Sequence, residues 1–348
     1  MTKGKVLVIS QPKTISYQDL EDSPLQAGEV RLKTLYSGIS AGTELTAYRG
    51  TNVYIQKEWD PVRRLFLPSI SPSMPYPLVG WGYEEVGEVI ELGPNVKLLK
   101  AGDVIGGTWG HKTWHIAQED WAYDRLVPAG LEPLMGIFTH MGPIALNGIL
   151  DANIHLGETV AVYGLGVVGQ IVARLAKLSG ARVIGVDFNQ QRLDLAKNHG
   201  AVDIAINPKD TKPAEAIKDL TRGLGADVSI EASGSSAALN EAIRSVAYAA
   251  RVVVLGFIQG EAKQIFLGEE FHHNRIQLVC SQIGGVSNEL STRWNRLRLI
   301  RTIYDLQAAG KLDLKPLITH QFPFKEAEQA FELLDTHPED ALQVVLQF

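Results

Sequence analysis

The stretch "TVAVYGLGVVGQIVARLAKLSG", residues 159–180, restricts the fold of this 348-residue chain more than any other feature. A short apolar strand, a G-x-G-x-x-G turn at Gly164–Gly169 and an amphipathic helix that stops at Gly180 follow one another directly. Asp187 ends the next predicted strand, 18 residues after Gly169. This order predicts a βαβ unit in which the turn and the helix N-terminus bind the diphosphate of a dinucleotide.

Each position of the turn has its own predicted role. Gly164 permits the tight bend, Gly166 lets the backbone approach the diphosphate, and Gly169 lets the helix lie close to the strand. Asp187 is predicted to accept hydrogen bonds from the adenosine ribose and to repel a 2′-phosphate, which favours NAD over NADP. Arg192 leaves NADP open, because an arginine near this site can pair with a phosphate. A glycine-rich turn without a ligand is the structural alternative. The predicted cofactor-binding residues are Gly164, Leu165, Gly166, Val167, Val168, Gly169, Asp187, Arg192, Ser233 and Gly256.

The rest of the chain predicts two domains of different character. After about residue 156, strands such as "ADVSIEASG" alternate with helices such as "AALNEAIRSVAYAA" and "LSTRWNRLRLIRTIYDLQAAG", which predicts an α/β, doubly wound parallel sheet. The first 150 residues contain short alternating runs broken by turns, which predict a β-rich barrel. Residues 51–78 are predicted to be a long loop, either functional or a surface insertion. We therefore predict a first domain of residues 1–150 completed by 317–348, and a second of residues 151–316.

Composition excludes several classes of function. The net charge of −6 gives no basic footprint for nucleic acid, and no apolar run of about 18 residues is present to span a membrane. The N-terminus has no signal-peptide pattern, so a cytoplasmic location is expected. The single cysteine, Cys280, allows neither an internal disulfide nor a metal site built from cysteines.

Nearly the whole chain resembles the medium-chain dehydrogenase/reductase superfamily, which has the zinc-type alcohol dehydrogenase fold. The segments "GEVRLKTLYSGIS", "LVGWGYEEVGEVIELGPNV", "LKAGDVI" and "GADVSIEASG" occur in the order of that superfamily. The resemblance implies a GroES-like β-barrel catalytic domain completed by the C-terminal tail, a Rossmann NAD-binding domain and a homo-oligomer. "SGISAGTE" and "GYE" are most similar to the bacteriochlorophyllide-type branch, whose members oxidise a hydroxyethyl group with NAD.

The positions that bind catalytic zinc in this superfamily carry other residues here. The resemblance places Ser40 at the first cysteine ligand and Tyr83 at the histidine ligand. Near the third ligand position there is no cysteine or carboxylate, although His140 is close by. Since a catalytic zinc takes about three protein ligands from Cys, His, Asp and Glu, we predict no metal. The alternative is an unusual metal site drawn from Glu44, Glu84, His111, His115 and His140.

Without zinc, a positioned acid–base group must move the proton of the substrate hydroxyl. The resemblance places Tyr83 and Glu84 at the lost ligand and its adjacent glutamate, and Thr43 at the hydroxyl of the superfamily's proton relay. These three are the predicted catalytic residues, with pocket packing as the alternative, while Glu44 is predicted to be structural. Five of the six tryptophans lie between residues 59 and 121, which predicts a ring-shaped small-molecule substrate unless they form the barrel core.

These predictions point to an NAD(H)-dependent oxidoreductase that interconverts a secondary alcohol and a ketone without catalytic zinc. Two alternatives stay open. One is a zinc-free reductase of an activated C=C bond, of the quinone or enoyl type, although Asp187 disfavours the NADPH that such enzymes prefer. The other is a catalytically inactive NAD-binding protein.

Overall fold

A computed structural model describes residues 4–68 and 71–348. The strands are β1 (Gly4–Gln11), β2 (Thr14–Leu20), β3 (Glu29–Ile39), β4 (Lys57–Asp60), β5 (Leu65–Pro68), β6 (Leu78–Val79), β7 (Glu85–Leu92), β8 (Val104–Gly107), β9 (Trp114–Gln118), β10 (Thr159–Tyr163), β11 (Arg182–Val186), β12 (Ile204–Ile206), β13 (Ala226–Glu231), β14 (Val246–Val254), β15 (Gln277–Cys280), β16 (Ile318–Pro323) and β17 (Gln343–Gln347). The α-helices are α1 (Glu44–Arg49), α2 (Val53–Gln56), α3 (Glu119–Tyr123), α4 (Phe138–Ala152), α5 (Val167–Leu178), α6 (Gln190–Asn198), α7 (Pro213–Leu220), α8 (Ser236–Ser245), α9 (Arg296–Ala308) and α10 (Ala327–Thr336).

The chain divides into two compact units. The described residues up to His140 form the first unit together with Ile318–Phe348, and Met141–Leu317 form the second. From the sequence we placed the first division at residue 150, which lies inside α4. No helix among the described residues is both long and apolar enough to cross a membrane.

The second unit is built on a six-stranded parallel sheet in the order β12-β11-β10-β13-β14-β15. Its strands are short and largely apolar, and β10 is buried almost throughout, as expected for a sheet covered by helices on both faces. The predicted doubly wound sheet is confirmed. Since the strands are parallel, the segments that follow β10, β11, β13 and β14 leave the same edge of the sheet.

The first unit is organised around β3, which pairs with three other strands. β3 is antiparallel to β7, β9 and β17, and the main sheet has the order β16-β17-β3-β7-β8. A second sheet has the order β2-β1-β6. The C-terminal strand β17 therefore belongs to the main sheet of the β-rich unit. This arrangement fits the predicted GroES-like β-barrel.

The segment predicted as a loop at residues 51–78 contains regular structure over the part that the structure describes. α2 is followed by an antiparallel hairpin of β4 and β5, in which Trp59 lies opposite Phe66. The loop prediction is corrected here, because cross-strand aromatic contacts such as Trp59 with Phe66 stabilise a short hairpin that has little periodicity. Residues 69 and 70 of the predicted loop, like residues 1–3, lie outside the described residues.

Two helix predictions also need correction. "VAYAA" belongs to β14 rather than to the preceding helix, because Val246 already pairs with Ala226 of β13, and the pairing resumes at Arg251 after a register shift. The last long helix, α9, begins at Arg296, where the side chain of Asn295 accepts a hydrogen bond from the backbone N–H of Arg298 and caps the first turn.

Most of the tryptophans predicted to bind a substrate ring have structural roles. Trp109 and Trp121 pack in the apolar cluster formed around Val30, Leu32 and Ile105. Arg31 lies over the Trp114 ring at 4.7 Å from its centroid. Trp109 and Trp121 are therefore part of the barrel core, which was the alternative interpretation of the tryptophans. Of the five, Trp81 is the one next to the "GYE" segment.

Candidate active site

Two hydroxyl groups meet where the resemblance placed zinc ligands. The Tyr83 hydroxyl donates a hydrogen bond to Ser40 Oγ at 2.5 Å, and the Thr43 side chain is hydrogen-bonded to the same phenol. Ser40 follows the end of β3, Thr43 precedes α1, and Tyr83 directly precedes the buried glutamates that open β7. Burial, reinforced by the carboxyl groups of Glu84 and Glu44, raises the pKa of Tyr83 far above its ordinary value. The phenol therefore stays protonated and acts as a hydrogen-bond donor.

His140 completes this surface from the start of α4. Its ring packs against the Tyr83 ring, with 4.6 Å between centroids and planes tilted by 58°. Sequence reasoning noted His140 only as a neighbour of the third ligand position. The structure thus brings Ser40, Thr43, Tyr83 and His140 together, and we call these four residues the hydroxyl–imidazole cluster.

Glu84, a predicted catalytic residue, lies behind this cluster and is fully buried. Its Oε2 accepts a hydrogen bond from Nε2 of Gln343 on β17 at 3.0 Å, while its Oε1 has no hydrogen-bond partner. Burial and then the charges of Glu44 and Glu85 raise the pKa of Glu84 well above its ordinary value. Glu84 therefore keeps its proton to a higher pH than an ordinary glutamate, which suits a structural role inside the barrel better than direct contact with a substrate.

The structure contains a second cluster of buried polar side chains, of which the sequence analysis named only Glu44 and His111. His111 Nε2 lies 2.7 Å from Glu44 Oε2, and His111 Nδ1 lies 2.6 Å from Ser37 Oγ. Ser37 donates to Glu85 Oε1 at 3.0 Å, and the backbone N–H of Trp109 donates to Glu85 Oε2 at 2.6 Å. Ser37, Glu44, Glu85 and His111 have no exposed surface. We call these four residues the buried relay.

His115 belongs to neither the hydroxyl–imidazole cluster nor the buried relay. It lies on β9 and stacks on Trp109 with 5.4 Å between ring centroids. Burial, with a smaller effect from Lys112, lowers the pKa of His115 to about 3. Within residues 4–68 and 71–348, no set of three or more His, Cys, Asp or Glu side chains is arranged to hold a metal ion.

In the second unit, the glycine-rich turn has the geometry that the motif predicts. Gly164 has φ +88°, and a Cβ on Gly169 would lie 1.8 Å from the Gly164 carbonyl oxygen. A Cβ on Gly166 would meet no atom within 4 Å, so open space lies in front of this residue. Val167 and Val168 form the first turn of α5, whose leading N–H groups have no partner within the helix, and Leu165 is buried.

Asp187 is held by two backbone groups at the end of β11. Leu165 N–H donates to its Oδ2 at 2.6 Å, and Asn189 N–H donates to its Oδ1 at 2.8 Å. The carboxylate is only partly buried, so further lone pairs remain for a ligand. Arg192 lies in the first turn of α6, where its carbonyl oxygen accepts a hydrogen bond from Gln170 Nε2.

Glu231, which the sequence prediction did not include, joins Ser233 to Gly256. Its Oε1 accepts hydrogen bonds from the Ser233 hydroxyl and, at 2.7 Å, from the Ser233 N–H. A Cβ on Gly256 would lie 2.6 Å from Glu231 Oε2, and a Cβ on Gly164 would lie 2.6 Å from Ser233 Cβ. Glycine at both positions allows these segments to approach each other at the edge of the sheet.

The comparisons with known proteins agree with this arrangement. A family model described as zinc-binding dehydrogenase matches residues 167–298. The D-guloside 3-dehydrogenase of Escherichia coli (strain K12) is 31% identical over 350 residues, covering 99% of this chain and 100% of the relative. The L-threonine 3-dehydrogenase of Symbiobacterium thermophilum is 28% identical, covering 82% and 84%. The crystal structure of 2R,3R-butanediol dehydrogenase from Bacillus subtilis superposes with a TM-score of 0.79 at 20% identity, covering 99% of each chain.

This chain belongs to the zinc-binding dehydrogenase family. It is an oxidoreductase of the alcohol dehydrogenase type, and the fold class predicted from its sequence is confirmed. Within this dehydrogenase, sequence reasoning missed Ser37, Glu85, Gln343 and Glu231 as members of the two sites. A signal for Glu85 was present, because "YEE" places two adjacent carboxyls before a buried strand, where alternation turns the two side chains to opposite faces.

The contrast between Glu84 and Glu85 gives a testable prediction for stability. Glu84→Gln replaces a neutral acid by a neutral amide, so the variant is expected to be at least as stable as the wild type at pH 7. Because folding raises the pKa of Glu84, the unfolded chain loses this proton above about pH 4.3 while the native chain keeps it. Glu84 therefore weakens the fold as pH rises, and the advantage of the variant should vanish near pH 4.

Glu85→Gln is the matched comparison, because Glu85 accepts hydrogen bonds on both oxygens from Ser37 and Trp109. It is expected to lower the free energy of unfolding by about 1–3 kcal/mol, as for an unsatisfied buried group. Urea denaturation at pH 4 and pH 7 measures both effects. Equal destabilisation by the two substitutions at pH 7 would contradict the assignment of Glu84 as a neutral acid.

Proposed function

We propose that this dehydrogenase uses NAD(H) to interconvert a secondary alcohol and a ketone, without catalytic zinc, on a ring-shaped substrate of the carbohydrate class. The observation that carries the proposal is the hydroxyl–imidazole cluster. Ser40, Tyr83 and His140 lie in the region that the resemblance assigns to zinc ligands, and Tyr83 contacts both Ser40 and His140.

The donor groups of this cluster fit zinc poorly. Two oxygens bound to a tetrahedral zinc at about 2.0–2.2 Å would lie roughly 3.3 Å apart, since the ligands spread around the ion. Ser40 Oγ and the Tyr83 hydroxyl are 2.5 Å apart and joined by a hydrogen bond. Protein ligands to zinc come from Cys, His, Asp and Glu, whereas Ser40 and Tyr83 offer hydroxyl groups, and burial keeps the pKa of Tyr83 far above its ordinary value. No step of the proposed chemistry therefore involves a metal.

The residues of the glycine-rich turn fit a dinucleotide. The open space in front of Gly166 and the leading N–H groups of α5 suit a diphosphate. The Asp187 carboxylate, fixed by Leu165 and Asn189, suits the hydroxyls of an adenosine ribose and would repel a 2′-phosphate. These features support NAD rather than NADP.

The side chains of the cluster divide the chemistry between them. Nicotinamide supplies hydride transfer when it is bound. Ser40 donates its hydroxyl proton to the substrate oxygen, and Tyr83, which donates to Ser40 Oγ, strengthens that hydrogen bond as negative charge develops on the substrate oxygen. His140 accepts the hydroxyl proton, because imidazole exchanges protons near neutral pH. In alcohol oxidation the substrate then loses one hydride and one proton.

The carbohydrate class is supported by the relative and by the chemistry of the cluster. The 31% identical relative that this chain covers over its whole length is named D-guloside 3-dehydrogenase. Ser40, Thr43, Tyr83 and His140 offer several hydrogen-bonding groups within a small area, which suits a substrate with neighbouring hydroxyls. Initial rates on cyclic glycosides, linear polyols and enones test the class. Faster turnover of enones than of any alcohol would contradict it.

Removal of the Tyr83 hydroxyl tests the proposed chemistry. Tyr83→Phe is expected to lower kcat by about 100-fold or more, because Ser40 loses the preorganised donor that strengthens its hydrogen bond to the developing oxyanion. The dissociation constant for NADH, measured by fluorescence titration, should stay the same. Tyr17→Phe is the matched control, because Tyr17 donates to the carbonyl oxygen of Phe324 in the same unit, outside the cluster. A Tyr83→Phe variant that keeps wild-type kcat would contradict the mechanism.

Gly166→Ala tests the cofactor site. The added methyl group meets no atom in the free protein, and the backbone at Gly166 has φ −65°, so the melting temperature should hardly change. If a diphosphate occupies that space, the dissociation constant for NADH should rise about tenfold, which is about 1.4 kcal/mol. Gly268→Ala, which also adds a methyl group in open space, is the control. Unchanged NADH affinity in Gly166→Ala would contradict this placement of the cofactor.

A further inference from the structure

The proposed chemistry needs Ser40 and Tyr83 in one fixed arrangement, and the buried relay lies directly behind them. Glu44 Oε1 accepts a hydrogen bond from the Ser40 N–H at 3.0 Å, and the Glu44 N–H donates to the Ser40 carbonyl oxygen at 2.9 Å. Both polar groups of the Ser40 backbone are therefore bonded to Glu44. The other carboxylate oxygen of Glu44 contacts His111.

His111 also contacts the segment that carries Tyr83. Gly82 has φ +135°, and a Cβ there would lie 2.9 Å from both Cε1 and Nε2 of His111. The backbone N–H of His111 faces the Trp81 carbonyl oxygen at 3.4 Å. The His111 ring therefore lies against Gly82, the residue before Tyr83, on one side. On the other side it contacts Glu44, the carboxylate that holds Ser40.

Hydrogen-bond accounting fixes the orientation of the ring. Ser37 has one hydroxyl proton and gives it to Glu85, so Ser37 Oγ must accept from His111 Nδ1–H. A further proton lies between His111 Nε2 and Glu44 Oε2, which are 2.7 Å apart. Both ring nitrogens are therefore engaged, and rotation of the ring would break two buried hydrogen bonds at once.

From this geometry we propose that His111 is a positioning residue, which holds Ser40 through Glu44 and Tyr83 through Gly82 at the distance that the reaction requires. The inference rests on the proposed function, because it concerns the same hydroxyl pair. His111 itself is completely buried and does not contact the substrate.

The charges around His111 favour a fixed hydrogen bond between His111 and Glu44. Burial lowers the pKa of His111, but the carboxyl groups of Glu44 and Glu85 outweigh it and leave the pKa raised. Three glutamates among the described residues of this unit are buried, and burial favours the neutral form of Glu84. An imidazolium would offset part of the remaining negative charge in a region where unpaired charges are strongly destabilising.

A double-mutant cycle tests the proposal. His111→Gln is expected to lower kcat about tenfold or more through misplacement of the hydroxyl pair, with NADH affinity unchanged. In the Tyr83→Phe background the same substitution should lower kcat by less than about threefold, because the group that it positions is already gone. His320→Gln is the control: this partly exposed histidine of the same unit lies outside the cluster and the relay, and its substitution should leave kcat unchanged.

A merely structural role gives a different pattern. If the losses of His111→Gln and Tyr83→Phe multiply, His111 does not act through the hydroxyl pair, and the inference is overturned while the proposed function stands. If the Tyr83→Phe single variant has wild-type kcat, the result contradicts the proposed function and also the inference that rests on it.

A second pair of variants carries the same test if His111→Gln does not fold. Glu44→Ala removes the acceptor for the Ser40 N–H, whereas Glu44→Gln keeps an oxygen acceptor for it and an N–H donor toward His111. Glu44→Gln is expected to retain at least about tenfold more activity than Glu44→Ala, since it preserves the geometry. Equal kcat in these two variants would overturn the positioning role.

Discussion

Burial of three carboxyl groups in one small barrel is the constraint on which the rest of the candidate active site depends. Glu44, Glu84 and Glu85 have no exposed surface. An uncompensated buried carboxylate is strongly destabilising, so each of the three must be neutral, paired or hydrogen-bonded. Burial raises the pKa of Glu84 and favours its neutral form, Glu85 accepts hydrogen bonds on both oxygens, and Glu44 is paired with His111. The positions of Ser40 and Tyr83 follow from this arrangement, because both border the groups that satisfy it.

The cofactor site could be predicted in detail because its residues are close in sequence and its geometry is set by a local motif. Gly164, Gly166 and Asp187 occupy one strand–turn–helix–strand unit, and the structure has the turn, the helix start and the carboxylate where the motif requires them. Glu231 escaped prediction because it serves the site indirectly. It holds Ser233 through two hydrogen bonds, and no local pattern marks a residue with that role.

The candidate catalytic site was only partly predictable, because its contacts join distant segments. His111 is 67 residues from Glu44 and 74 from Ser37, and Gln343 is 259 residues from Glu84. The pairing of β3 with β7, β9 and β17 brings these segments together. The sequence placed His111 among candidate metal ligands, whereas both of its ring nitrogens already have partners. The sequence left open whether the tryptophans contact a substrate or form the barrel core, because alternation along a strand does not reveal which face becomes core. Trp109 and Trp121 lie in the core.

The most direct test of the account is the zinc content of the purified, untagged enzyme, measured by mass spectrometry after incubation with zinc and desalting, together with turnover before and after chelation. The account predicts near-zero zinc per chain and the same turnover in both states, because Ser40, Tyr83 and His140 act as hydrogen-bonding and proton-exchanging groups. About one tightly held zinc per chain, with activity lost on chelation, would contradict it. Such a result would show that the hydroxyl–imidazole cluster rearranges to bind a metal.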